Sequence, residues 1–377
     1  VMHVAVDARY ICKRPSGIGA YVRALVDRLP ALAPGDRFTF WRHTSVEGRL
    51  STAPNIDEHR AIGTPNEPFS LLFPRLFGPT DGDVFHAPHN ILGRGIRSAV
   101  VTTIHDIMWL DAPHFAEGSA FRRTFRVPFF RAGLHASLRR STRILTVSRA
   151  SADAIVRYDP SAKGRVVVTH NAADPWFAPP KDRDAARARA AHVLGTDAPY
   201  FVLVGQNAPY KGHALALEAF AAAATRGERL VLVQRLDTGR GLDALAQRLG
   251  IKGRLVIRPT LPRDDLVALL HGALALLQPS FAEGFGMPAL EAMAAGCPVI
   301  TSDIAPLVEV TGDAGLHFPR GSVEGLAAAM RRVASDPVLR AELAARGPER
   351  GKTFSWDTTA RTTLDVYREA AALGPRP

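Results

Sequence analysis

Cysteine is almost missing from this chain: only Cys12 and Cys297 occur in 377 residues, and neither has a neighbour at metal-ligand spacing. That scarcity excludes a disulfide framework and a cysteine-rich zinc site, and it fits a reducing compartment. No apolar run reaches the roughly 20 residues that span a bilayer. No charged-then-apolar leader opens the sequence, which starts on the strand-like Val1-Met-His-Val-Ala-Val6. The expectation is a cytoplasmic protein, with any membrane contact peripheral, on the inner face of the plasma membrane. Acid is also in short supply, since 36 Asp and Glu against 47 Lys and Arg leave a net charge of +11. An anionic partner follows: nucleotide, lipid phosphate, membrane surface or nucleic acid. No RNA or DNA motif accompanies the charge, so nucleic acid is not the expected partner.

From Gly118 to Ala152 there is no acid at all, while Arg122, Arg123, Arg126, Arg131, Arg139 and Arg140 interleave with Phe121, Phe125, Phe129 and Phe130. Residues 121–140 read either as a surface for an anionic bilayer or as a solvated helix pair with a phenylalanine core. Pro128 is expected to interrupt any single long helix there.

A chain of this length exceeds one ordinary core, so two domains are expected. Apolar runs alternate with helical patterns as in βαβ units, with strands at Val4–Val6, Phe38–Trp41, Val84–His86, Val100–Ile104, Ile144–Val147 and Val166–Val168. The proline-rich Asn171–Pro180 reads as a linker. Alternation then resumes from Tyr200–Val204 to Pro298–Thr301, giving an α/β chain of two doubly wound, Rossmann-like domains. The boundaries are set at 1–175 and 176–355, with a helix in 356–377 packing back on the first domain.

The most informative stretch is Pro279-Ser-Phe-Ala-Glu-Gly-Phe-Gly-Met-Pro-Ala-Leu-Glu291. Seven residues separate Glu283 from Glu291, with Gly284-Phe285-Gly286 between them. Pro288 suits a first helical position, Ala289–Ala295 is nearly all apolar, and Gly296 can stop the helix. Such a helix is buried, and Glu291 on it is costly unless something pairs with it. Free N–H groups at the helix start and along the glycine loop suit a phosphate. A carboxylate able to take two hydroxyls beside an anion hole is what a sugar nucleotide needs. A satisfied core Glu explains either acid alone; both acids, both glycines and the proline together point to a ligand.

Weaker signals surround it. Gly17-Ile-Gly19 between a strand and a helix is a phosphate loop or a plain tight turn. His105 ends a strand, as a site residue or a turn residue. Lys211, between a strand and a helix, can reach a diphosphate or stay solvated. Asp81-Gly-Asp83 reads as a turn rather than a metal site.

Together these residues resemble the retaining glycosyltransferases of family 4, of the two-domain GT-B architecture, over nearly the whole chain. Glu283-Gly-Phe-Gly-Met-Pro-Ala-Leu-Glu291 is similar to that family's paired-acid motif. Asp7-Ala-Arg9 with Gly17-Ile-Gly19-x-Tyr21, His105-Asp106, Thr146-Val-Ser148, Lys211-Gly212, Leu307-Val-Glu309 and Gly312-Asp-Ala-Gly315 match further family positions. The resemblance implies two domains facing each other across a cleft. It implies transfer of a hexose from a nucleotide sugar to an acceptor hydroxyl on a glycan or lipid-linked acceptor, with retention. Same-face attack is expected, and no metal or other cofactor. Glu291 would hold the ribose and Glu283 the donor sugar, while Phe285 and Gly286 would offer backbone N–H groups. Lys211 would neutralise the leaving phosphate, Gly17 and Gly19 would let their loop approach it, and His105 would orient the sugar. The base would lie near Arg258. Gln206, counted with the donor-binding residues, stands where relatives carry an arginine as a second phosphate cation. That charge is missing or comes from Arg258 or Arg9. The opening motifs look like bacterial mannosyltransferases of surface polysaccharides, so GDP-mannose is the favoured donor and a UDP-hexose the next. A nucleotide-sugar epimerase of the same architecture and a basic nucleic-acid-binding protein are the alternatives.

Overall fold

Strands such as Ala99–Ile104 and Ala275–Gln278 bury every side chain they carry, as parallel sheets do when helices cover both faces. The computed structural model describes all residues except 13–15, 66, 113–114, 116–119, 224–226, 235–239 and 377, and omits the side chains of 68, 120–126 and 240. The chain forms two units, Val1–Asn171 with Ser355–Pro377, and Ala172–Phe354. The linker prolines Pro175, Pro179 and Pro180 therefore belong to the second unit, where the sequence boundaries stood at 175 and 355.

The first unit begins with β1 (His3–Val6), α1 (Gly17–Leu32), β2 (Arg37–His43), β3 (Ile56–Ala61) and α2 (Pro68–Leu72). It continues through β4 (Val84–Ala87), β5 (Ala99–Ile104), α3 (Met108–Asp111), α4 (Ala120–Arg140), β6 (Arg143–Thr146), α5 (Arg149–Tyr158) and β7 (Val166–Val168). Its sheet has the order β3-β2-β1-β4-β5-β6-β7, all parallel, so the winding reverses between β1 and β4. One expectation needs correction. Helix α4 runs unbroken through Pro128, because a proline removes one main-chain donor and a helix of this length keeps its remaining bonds. The edge strand β3, Ile-Asp-Glu-His-Arg-Ala, buries only its two ends, so apolar patterning passes over it.

In the second unit come α6 (Arg183–Leu194), β8 (Tyr200–Val204), α7 (His213–Ala222), β9 (Arg229–Val233), α8 (Arg240–Arg248), β10 (Leu255–Arg258) and α9 (Arg263–Gly272). Then follow β11 (Ala275–Gln278), α10 (Met287–Ala294), β12 (Val299–Ser302), α11 (Ala305–Thr311), β13 (Leu316–Phe318), α12 (Val323–Ser335) and α13 (Pro337–Gly351). The sheet order is β10-β9-β8-β11-β12-β13, again all parallel, and the winding reverses between β8 and β11. Phe201, Leu203, Phe220, Leu232, Leu277, Ile300 and Met330 share one core between this sheet and its helices. Each such side chain contributes about 1.5–3 kcal/mol on burial.

Helix α14 (Trp356–Leu373) belongs to the first unit. The Tyr367 hydroxyl bonds His86 Nδ1 at 2.6 Å, and His86 Nε2 meets Thr103 Oγ1 at 2.8 Å. Arg28 pairs with Asp357 at 2.6 Å and Arg143 with Glu369 at 3.0 Å, while the Thr359 hydroxyl donates to the His170 carbonyl. Among the described residues no helix is long and apolar enough to cross a membrane.

Candidate functional site

In open parallel sheets, ligands lie beyond the carboxyl ends of the strands where the winding reverses. In the second unit those ends are the loops after β8 and β11. The first turns at Gly205, with φ of +141°, and ends in a short turn over Pro209–Lys211 before Gly212, with φ of +70°, opens α7. The second is pressed against it backbone to backbone: Phe281 N donates to the Tyr210 carbonyl at 2.7 Å. A Cβ on Gly212 would fall 2.1 Å from the Pro279 carbonyl oxygen.

That contact brings Lys211 and Glu283 together. Lys211 Nζ donates to both carboxylate oxygens, at 2.7 Å to Oε1 and 2.8 Å to Oε2. Oε1 also accepts from Gln278 Nε2 and from Ser280 Oγ, each at 2.8 Å. Gln278 Oε1 in turn accepts the Ala289 N–H at 3.0 Å, tying the first turn of α10 to the same cluster. Ser302 Oγ donates to the Ser280 carbonyl at 2.6 Å. Sequence reasoning missed Gln278 and Ser280. The available signal was a polar residue ending the apolar strand Ala-Leu-Leu-Gln.

Helix α10 starts at Met287, one residue before the expected Pro288, after Gly286 at φ +114°. A side chain on Gly286 would meet Leu307 Cδ2 at 2.5 Å. The N–H groups of Gly286 and Met287 donate to no acceptor among the described residues, leaving a helix start open to an anion. The Phe285 ring is buried, edge-on to Phe354 at 5.6 Å, so it anchors the loop from the core side.

Glu291 lies one turn along α10, half-buried, and accepts no hydrogen bond from the described residues. Desolvation, helped by the Asp174 carboxylate, pushes its carboxyl up to about 8. Its folded-state value lies above the unfolded one of about 4.3. The neutral form therefore supports folding below that pH, and the contribution is lost as pH rises through about 8. Glu291→Gln preserves the neutral shape and is expected to flatten this decline in thermal melts between pH 5 and 9. An unchanged slope would mean that the carboxyl ionises freely.

Gln206 is exposed in the loop after β8. Arg258 has a different employment: its Nε and Nη2 donate to the Val193 and Leu194 carbonyls at 3.2 Å, capping the end of α6. It ends β10, on the sheet edge two strands from β8, and does not join the Lys211–Glu283 cluster.

In the first unit the reversal point carries Asp7 after β1 and His89 after β4. Arg9 forks onto Asp7 with Nε–Oδ1 at 2.8 Å and Nη2–Oδ2 at 2.7 Å, and His89 Nε2 lies 3.4 Å from Oδ2. Burial alone would raise the Asp7 carboxyl, but the Arg9 guanidinium and its hydrogen bonds hold it well below the usual carboxylate range. Arg9 also donates to Ser70 Oγ at 3.0 Å and lies over the Phe77 ring at 4.7 Å. Arg9 is thus locked inside the first unit and is no spare phosphate cation, because a buried guanidinium needs its carboxylate.

His105, at the end of β5, donates its main-chain N–H to Asn90 Oδ1 at 2.7 Å and meets the Pro88 carbonyl through Nε2 at 3.1 Å. Tyr21 packs edge-on to it at 5.2 Å. Burial drives its pKa down to about 4. The imidazole is therefore neutral at pH 7, and the Pro88 bond assigns the proton to Nε2, leaving Nδ1 as an acceptor. Gly17 and Gly19 differ: Gly19 lies within α1, where a Cβ would sit 2.7 Å from the Tyr10 carbonyl, whereas a Cβ on Gly17 meets nothing within 4 Å. Asp81-Gly-Asp83 is a turn tied to β1 through His3 N–H on Asp83 Oδ2 at 2.7 Å. Among the described residues, no three His, Cys, Asp or Glu side chains are grouped to hold a metal ion.

The family model for glycosyl transferases group 1 matches residues 184–350. The O-antigen chain mannosyltransferase B of Escherichia coli is 28% identical over 374 residues, 94% of this chain and 96% of that protein. A D-inositol 3-phosphate glycosyltransferase of Streptomyces avermitilis is 31% identical over 242 residues, 60% of this chain but only 52% of that relative's length. Among solved structures, sucrose-phosphate synthase from Thermosynechococcus elongatus superposes with a TM-score of 0.78 at 20% identity, covering 99% of this chain and 100% of that one. HepE from Anabaena, solved with UDP and glucose, gives a TM-score of 0.72 at 16% identity, covering 98% and 100%. Residues 184–350 belong to the group 1 glycosyltransferases, and the chain has two parallel-sheet α/β units of the GT-B fold.

Proposed function

We propose that the enzyme moves a hexose, with mannose favoured, from a nucleotide-sugar donor to an acceptor hydroxyl on a glycan or glycolipid, retaining the anomeric configuration without a metal. The observation that carries this reading is the Lys211–Glu283 pair beside open helix N–H groups at the reversal point of the second sheet. A mannosyltransferase relative aligned over nearly the full chain supports the sugar, and a structural neighbour holding UDP and glucose supports the donor class.

Departure of a nucleoside diphosphate builds negative charge on its phosphates while the sugar turns cationic. Lys211 Nζ and the N–H groups of Gly286 and Met287 stabilise that charge as an oxyanion hole would. Glu283 Oε1 accepts three donors, while Oε2 accepts only Lys211 from the hydrogen bonds that position the carboxylate. Oε2 keeps a lone pair for a hydroxyl of the donor sugar. Glu291 takes the ribose hydroxyls. Neutral His105 offers Nδ1 to a sugar hydroxyl, and its low basicity suits orientation better than proton removal. The leaving phosphate then accepts the acceptor's proton on the face it departs from. Two fixed positive sources supply the field a metal would otherwise provide.

Thermal-shift titration with UDP, GDP and ADP tests nucleotide binding, because a ligand held only by the folded state raises the melting temperature. GDP is expected to stabilise most, and no stabilisation by any of the three would overturn the reading. Release of nucleoside diphosphate from GDP-mannose should require an acceptor and persist in EDTA. Donor conversion without acceptor would mean an epimerase, and activity lost to EDTA but restored by magnesium would mean a catalytic metal.

A further inference from the structure

Five large apolar side chains open to solvent fall in one stretch of the first unit: Ile62 (69% exposed), Phe69 (53%), Leu72 (50%), Phe73 (50%) and Leu76 (68%). They lie on and around α2 and the following turn Pro74–Leu76. The Phe69 ring packs on Phe73 at 5.1 Å and edge-on to the buried Phe77 at 5.9 Å, so the crest is fixed to the core beneath it. Exposed Arg75 stands in the same turn. The loop of Gly93–Arg97 runs alongside, with Arg94 N donating to the Leu71 carbonyl at 2.7 Å. Gly93 is pressed onto the Pro74 ring, 3.1 Å from where a Cβ would be. Exposed Arg94 and Arg97 therefore flank the apolar crest, and Arg140 braces their loop by donating to the Gly93 carbonyl at 2.9 Å.

Of the nearby acids, Glu67 turns its carboxylate back onto the Thr64 N–H at 3.1 Å and its hydroxyl at 3.3 Å, and exposed Asp81 follows Thr80, whose carbonyl accepts from Ser98 Oγ next to Arg97. None of Arg75, Arg94 and Arg97 meets a carboxylate among the described residues. An apolar patch of this kind marks a docking surface, and the uncompensated arginines choose the occupant. A second copy of a chain with net charge +11 would set arginine against arginine in a symmetric contact. An anionic lipid surface satisfies both the apolar side chains and the cations.

We propose that the α2 crest docks on an anionic bilayer, with Phe69, Leu72, Phe73 and Leu76 entering the interface and Arg75, Arg94 and Arg97 meeting lipid phosphates. This moves the membrane contact away from residues 121–140. Phe130 of that stretch is stacked on Trp109 at 4.3 Å, while the side chains of Arg122, Arg123 and Arg126 lie outside the described residues. The inference is independent of the donor and the reaction.

Flotation of the full chain with vesicles of phosphatidylglycerol and phosphatidylcholine, against phosphatidylcholine alone, tests it. The parent is expected to float with the anionic vesicles and to lose most binding in high salt. Leu72→Ser/Phe73→Ser/Leu76→Ser and, separately, Arg75→Glu/Arg94→Glu should each weaken binding roughly tenfold or more while melting like the parent. Either variant binding as tightly as the parent, or a parent that floats with neither vesicle, would overturn the proposal. A parent dimer that the serine variant dissolves, without any vesicle affinity, would instead show that the crest is covered by a second copy.

Discussion

Replacing Lys211 by alanine is expected to lower kcat by about 10²–10³-fold, with a much smaller change in donor KM. The diphosphate is already anionic in the bound donor, and it gains a further negative charge beside Lys211 as it departs. Stabilisation of that added charge belongs to the transition state, and its loss appears in kcat. The fold should survive the change. Glu283 would lose its cation but keep Gln278 Nε2 and Ser280 Oγ, both at 2.8 Å, so a cost of about 1–3 kcal/mol is expected. The double change Lys211→Ala/Glu283→Gln removes the unpaired charge and should recover part of that stability without recovering turnover. Lys211→Arg should rescue little, because a longer planar guanidinium would pair its fork with both Glu283 oxygens and would not put a compact charge at the same point. Steady-state kinetics with a melting curve for each variant separate the outcomes. A folded Lys211→Ala enzyme within tenfold of the parent kcat would remove Lys211 from the chemistry.

The alternation of apolar runs and helices was legible because parallel strands buried on both faces write themselves as continuous hydrophobic stretches. Tyr200–Val204 is found where it was expected. The glycine loop before α10 was legible for a similar reason, since φ values near +114° leave few residues to choose from. The union of Lys211 with Glu283 was not. The two are 72 residues apart, and they meet because β11 inserts beside β8 while β9 and β10 wind off to the other side, an order no local pattern encodes. Arg9 misled as a free cation because its partner, Asp7, sits only two residues away, in a loop whose path decides whether the two side chains meet. Arg258 misled likewise, since the α6 carbonyls it caps come from a distant part of the sequence. Phe69, Leu72, Phe73 and Leu76 have the helical spacing of core side chains, so spacing alone does not mark the crest. Only the packing around α2 reveals that nothing of the first unit covers them.

Gly212→Ala is expected to cost about 3 kcal/mol and to remove most activity from whatever remains folded. Two effects add. An alanine at φ +70° is strained in its own backbone, and its Cβ would sit 2.1 Å from the Pro279 carbonyl oxygen. That oxygen belongs to main chain whose position is fixed two residues on, by Phe281 N on the Tyr210 carbonyl at 2.7 Å, so no flexible side chain can give way. The loops after β8 and β11 must separate, and with them Lys211 and Glu283. A displacement of about 1 Å in positioned groups can cost about 10² in rate. Turnover should therefore fall further than the loss of folded protein explains, which activity normalised to the native fraction would show. Gly17→Ala is the matched control, since its Cβ meets nothing within 4 Å and its stability should stay within about 0.5 kcal/mol of the parent. If Gly17→Ala folds normally yet turns over slowly, the open space beside it is occupied by substrate during the reaction. If Gly212→Ala melts and turns over like the parent, the two loops are not held against each other, and the pairing of Lys211 with Glu283 needs another cause.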